Sequence, residues 1–130
     1  MVSGEEVFDG RRGSEVREIP TDILLNATRI SFTETSISEL RPREFSRFQN
    51  LIHLDLRYNN ISVIADDAFS GTRIETLRLS ANNIGPSAPN LSSIAATLEV
   101  LRLDYNNIET VSPVFFEGMA KLQQLSLAGN

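Results

Sequence analysis

Residues 51–61 read LIHLDLRYNNI, and the spacing inside this stretch decides the fold. Its apolar residues Leu51, Leu54, Leu56 and Ile61 stand at positions one, four, six and eleven, with Asn59 at position nine. The same spacing returns in IETLRLSANNI (74–84) and LEVLRLDYNNI (98–108), and starts again in LQQLSLAGN (122–130). A weaker copy, ATRISFTETSI, fills 27–37. The copies begin at 27, 51, 74, 98 and 122, in steps of 24, 23, 24 and 24 residues. A fixed period of this length marks a solenoid of stacked units.

Within Leu54-Asp55-Leu56 the side chains alternate as a strand requires, two leucines to one face and the aspartate to the other. One short strand cannot bury its apolar face alone, so copies must stack, and the long return segments make the strands parallel. The asparagine at position nine (Asn59, Asn82, Asn106, Asn130) carries two donors and an acceptor. Where the chain turns away from the strand, that amide is placed to satisfy backbone groups of its own turn and of the neighbouring copy. In the first copy Thr35 takes the slot, with a hydroxyl for part of the task.

The pattern L-x-x-L-x-L-x-x-N-x-I, followed eight residues later by Phe45, Phe69 and Phe116 in three copies, resembles leucine-rich repeats of the 24-residue animal extracellular type. The resemblance covers residues 14–130. It implies an α/β-type repeat solenoid: a horseshoe segment with a parallel β-sheet on the concave face and mostly irregular convex segments. It is specific for fold and weak for function, since receptors, adhesion proteins and matrix proteins share it. Extracellular relatives usually close the first repeat with a disulfide-bonded cap, whereas this chain has no cysteine. Two readings stay open: a protein that never carried the cap, or a variant that lost it.

The chain divides into a polar leader or cap remnant (1–13), an N-terminal capping strand segment (14–26) and the repeats (27–130), the last of them incomplete. Val7 and Phe8 are expected to tuck onto the core, and SEVREI before Pro20 to supply an edge strand. The phenylalanines are expected in the core. The third copy departs: GPSAPNLSSIAAT follows Ile84, with two prolines and no phenylalanine. An irregular convex loop is expected there, with Leu91 and Ile94 filling the phenylalanine site and a short helical turn over 92–96. A solenoid ending at Asn130 lacks a polar terminal cap, so the chain is expected to be the first part of a longer array.

A net charge of −5 argues against nucleic acid or an anionic membrane as partner. No apolar run approaches membrane-spanning length, and the first thirteen residues have no signal-peptide core. Without cysteine, thiol catalysis and thiolate metal sites are excluded. His53, the one histidine, has no nucleophile marked by a motif, and no phosphate loop is present. No enzyme activity, cofactor or metal is expected.

Function is expected on the outward side chains of the concave sheet. Asp55, Arg57, Tyr58, Arg78, Arg102, Asp104 and Tyr105 form a mixed aromatic and charged patch, with Tyr58 and Tyr105 flanking Ala81. Tyrosine and arginine are enriched at binding hot spots; the competing reading is a solvated face with internal ion pairs. Five strands span only ~20 Å, short of the ~800 Å² per partner of a standard interface. Sequons at Asn26, Asn60 and Asn90 are candidate glycosylation sites, barely above what ten Asn and 22 Ser or Thr give by chance. The reading is a non-catalytic protein-recognition module, the N-terminal part of an extracellular or receptor ectodomain binding a protein ligand. The alternatives are an assembly element associating edge to edge through its C-terminal end, or the ligand-binding part of a larger receptor enzyme.

Overall fold

A computed structural model describes residues 7–9, 13 and 15–130. Six three-residue strands form one parallel sheet: β1 (Val7–Asp9), β2 (Arg29–Ser31), β4 (His53–Asp55), β6 (Thr76–Arg78), β7 (Val100–Arg102) and β8 (Gln124–Ser126). A second, two-stranded parallel sheet pairs β3 (Glu39–Leu40) with β5 (Val63–Ile64) on the return segments. The register follows the repeat, aligning Ile30 with Leu54, Leu54 with Leu77, Leu77 with Leu101 and Leu101 with Leu125. The fold is the expected solenoid. The helical content of the described residues amounts to two 3₁₀ turns, Ser92–Ile94 and Pro113–Phe116.

Columns of equivalent side chains fill the coil. Leu51, Leu54, Leu56, Ile61, Ile74, Leu77, Leu79, Leu98, Leu101 and Leu103 are wholly excluded from solvent, each stabilising by ~1.5–3 kcal/mol relative to exposure. Phe45, Phe48 and Phe69 fill the convex half. The Phe45 and Phe69 rings stack at 5.9 Å between centroids and 14° between planes. In the third copy Leu91 and Ile94 are buried where the phenylalanine would stand, and the helical turn is the short 3₁₀ segment. The fourth copy departs from the sequence reading. Phe116, in register with the phenylalanine column, is 45% exposed, and its neighbour Phe115 packs against the core. A 3₁₀ turn spreads successive side chains ~120° apart, so only one of the two adjacent rings can face inward.

The N-terminal edge also differs from the reading. The strand that shields β2 is Val7–Asp9; Gly13 continues the pairing through a bridge to Thr35. Residues 15–26 contain no strand. Pro20 and successive turns break any extended run, and the segment instead covers the first coil with Ile19 and Ile23. Arg47 holds it down through the carbonyls of Pro20 and Thr21 at 2.9 and 3.3 Å. The leader at 1–6 and 10–12, Ser14, and the packing of the Val7 and Phe8 side chains lie outside the described residues.

The position-nine asparagines form a ladder. Asn106 donates to the carbonyls of Leu103 (2.9 Å) and Leu79 (3.1 Å) and accepts from the Ile84 amide (3.0 Å). Asn82 does the same with Leu79, Leu56 and Ile61, and Asn130 with Leu127, Leu103 and Ile108. Asn59 donates to Leu56 and Phe32, and its oxygen receives the Thr35 hydroxyl. Among the described residues no buried side-chain nitrogen or oxygen lacks a partner.

Replacing Asn106 by Ala strands the Ile84 amide and leaves the Leu79 and Leu103 carbonyls each with one asparagine donor instead of two, and should lower stability by about 1–3 kcal/mol. The measurement is the urea midpoint with the far-ultraviolet spectrum unchanged. Exposed Asn60→Ala is the control and should stay within about 0.5 kcal/mol; equal losses would remove the asparagine ladder as the cause.

Candidate functional site

The chain leaves β2, β4, β6, β7 and β8 each through a residue with positive φ. Glu34, Tyr58, Ala81 and Tyr105 hold φ of 57–58°, and Gly129 holds 74°. This left-handed conformation costs a non-glycine residue ~1–2 kcal/mol. Two sets of bonds offset it. The amide of the turning residue is bound by the next coil (Tyr58 to Ser80 at 3.1 Å, Ala81 to Asp104 at 2.9 Å, Tyr105 to Ala128 at 2.8 Å). The turn then swings the following asparagine inward to the ladder. Its other consequence is to throw the side chain of the turning residue outward, leaving Tyr58 and Tyr105 58% and 65% exposed.

Between the two tyrosines lies a depression of about 600 Å³ lined by Arg57, Tyr58, Arg78, Ser80, Ala81, Arg102, Asp104 and Tyr105. Six of the seven residues singled out from the sequence share it. The seventh, Asp55, lines a smaller adjoining hollow of about 150 Å³ with Arg29, His53 and Arg78. Ala81 forms the gap between the rings. A Cβ on Gly129 would lie 2.4 Å from Cδ1 of Tyr105, so this ring rests over the bare glycine backbone.

Charge is arranged less simply than the register suggests. Asp55 aligns with Arg78 and Arg78 with Arg102, but Asp55 pairs with Arg57, two residues further along the chain. The fork is bidentate, Nε to Oδ1 at 2.9 Å and Nη2 to Oδ2 at 2.8 Å. The Asp55 bond, set against partial burial, keeps the Arg57 guanidinium above its ordinary value. Arg102 donates to Oε1 of Gln124 at 3.2 Å. The Arg78 guanidinium is exposed and forms no hydrogen bond or ion pair among the described residues. Burial raises the Asp104 carboxyl, but hydroxyl bonds from Ser80 (2.8 Å) and Ser126, its own backbone amide and the charge of Arg102 together outweigh it and hold the group below its usual range.

Sequence reading did not anticipate the shared positive φ. Gly129 was the one legible signal for it, since glycine is the usual occupant of such turns. It also missed the roles of Ser80 and Ser126 on Asp104. No group of three or more His, Cys, Asp or Glu among the described residues converges as a metal site.

The leucine rich repeat family model matches residues 26–84 and 90–130; the gap falls on the proline-containing loop after Ile84. Human leucine-rich repeats and immunoglobulin-like domains protein 3 is 33% identical over 120 residues, covering 90% of this chain and 10% of that protein. Human leucine-rich repeats and immunoglobulin-like domains protein 1 is 30% identical over 128 residues, 98% of this chain and 12% of that protein. Cattle Toll-like receptor 3 is 35% identical over 78 residues, 58% of this chain and 9% of the receptor. The chain thus spans about a tenth of the length of these relatives.

A carboxyl with a depressed folded-state pKa contributes stability above its unfolded pKa and loses it as pH falls through the folded value. Ser80→Ala removes the strongest of the interactions that depress Asp104. Its carboxyl should titrate at higher pH than in the parent, and the mutant should lose less stability on acidification. Carbon-detected NMR titration of the Asp104 carboxyl checks the direction; an unmoved titration would show that the serine does not hold the charge.

Proposed function

The chain belongs to the leucine-rich repeat family, and on that premise we propose that it is a non-catalytic protein-recognition segment binding a protein ligand through its concave face. The observation that carries the reading is the open depression between Tyr58 and Tyr105, two large exposed rings around Arg78. The left-handed turns fix the backbone from which both rings project, so no loop ordering is lost there on binding. The partner buries the two rings, and a carboxylate of the partner meets Arg78. Asp55 and Arg57 already neutralise each other, so they shape the rim and contribute less to the attraction. Charge complementarity of this kind sets specificity and on-rate.

An extracellular or cell-surface ectodomain is the setting proposed for this segment. A receptor and two proteins named for immunoglobulin-like domains are among the relatives. No helix among the described residues is long and apolar enough to cross a membrane. The competing proposal is edge-to-edge assembly through β8, which requires a stable oligomer; light scattering over a concentration series separates the two.

The test is a screen of the purified chain against secreted proteins and receptor ectodomains by interferometry. For a ligand so found, Tyr105→Ala and Arg78→Ala should each weaken binding by about tenfold or more, about 1.4 kcal/mol, at an unchanged melting temperature. Ala81 already holds the same φ as Tyr105, so the tyrosine change leaves the turn intact. Convex Glu109→Ala should bind as the parent does. Binding that survives Tyr105→Ala combined with Arg102→Ala would show that the ligand sits elsewhere.

A further inference from the structure

The convex side of the fourth coil carries exposed apolar side chains. Val114 is 62% exposed on the 3₁₀ turn Pro113–Phe116, beside the half-exposed Phe116. The turn forms one wall of a groove of about 420 Å³, made by Ser112, Val114 and Phe115. The opposite wall belongs to the loop of the third coil and includes Pro89, Asn90 and Ser92. Both walls are firmly built. The Ala88 amide bonds the Thr110 carbonyl at 3.0 Å and the Thr110 amide bonds the Pro86 carbonyl at 3.1 Å. The Phe115 and Phe116 rings meet edge to face at 4.8 Å.

Asn90 opens the sequon Asn90-Leu91-Ser92. It is exposed, while Leu91 between it and Ser92 anchors in the core at 2% exposure. The Ser92 amide donates to Oδ1 of Asn90 at 3.0 Å, which holds the exposed asparagine side chain on the groove wall. We propose that Asn90 is an N-glycosylation site and that the first N-acetylglucosamine of its glycan lies in this groove against Val114. The inference rests on the secretory setting proposed above. In the transfer, Nδ2 of Asn90 bonds to C1 of the reducing-end sugar of a polyisoprenyl-diphosphate oligosaccharide. The C1–oxygen bond to the diphosphate breaks, the lipid diphosphate leaves, and the amide nitrogen gives up one proton to the base of the transferase. The sugar offers an apolar ring face and an acetyl methyl to Val114, and its hydroxyls reach the polar rim at Ser112 and Glu117. The glycan lies on the convex side, away from Tyr58 and Tyr105, so modification leaves the concave depression open.

The experiment is secretion of the whole 130-residue chain from animal cells behind an added signal peptide, with glycans trimmed to one N-acetylglucosamine. Peptide mass spectrometry should find Asn90 carrying the sugar. Amide hydrogen exchange over residues 112–117 should be about threefold slower or more than in Asn90→Gln. Val114→Ser should keep the sugar and lose that protection. An unmodified Asn90, or a modified one with unchanged exchange over 112–117, overturns the proposal. Concave-face binding measured on the same secreted protein is expected to be equal with and without the sugar. Its presence or absence judges the recognition reading separately.

Discussion

The structure depends on one requirement: every backbone group at the point where a coil leaves the sheet must find a partner inside the protein. Three-residue strands leave most of that turn unpaired, and the turn is too buried for water to serve it. The asparagine amide solves the problem in both directions along the solenoid. Asn106 satisfies carbonyls of its own coil and the preceding one and caps the amide of Ile84. Adjacent coils are thereby fixed in register, which keeps each leucine column aligned. The hydrophobic core is the larger energy, but the ladder sets the geometry in which it can form.

The same turn creates the candidate recognition surface. Bringing the asparagine inward demands a left-handed residue just before it, and the side chain of that residue must point out. Tyrosines at two of these positions and alanine between them produce a depression with an exposed aromatic ring at each end. Fold and site are thus one device seen from two sides. The charged residues follow a different rule, since strand alternation places them outward and local pairing decides which remain available. Asp55 takes Arg57 and leaves Arg78 open to solvent.

Where the repeat weakens, the structure adapts instead of failing. The third coil replaces a phenylalanine by Leu91 and Ile94, and its loop bonds to the fourth coil through Pro86, Ala88 and Thr110. That loop has little freedom to act as a separate arm. Gly85 shows how close the approach is, since a Cβ there would meet the Asn107 carbonyl oxygen at 2.1 Å. At the N-terminal edge a strand with a 22-residue offset to β2 extends the sheet, although its sequence preserves almost none of the repeat pattern.

The period, the leucine columns, the asparagine slot and the identity of the outward residues were legible in the sequence by itself. They arise from local alternation and from a spacing that any stacked coil must keep. Six of the seven patch residues fall in one depression because a strict register converts sequence position directly into spatial neighbourhood. What the sequence left undecided depends on contacts between coils. Val7–Asp9 is a strand only because β2 offers an edge to pair with. Phe115 rather than Phe116 turns inward because a 3₁₀ turn sets the angle between them. Asp55 chooses Arg57 over Arg78 through side-chain reach, which register does not encode. Periodicity specifies where a residue stands; the partner it takes is settled by three-dimensional packing.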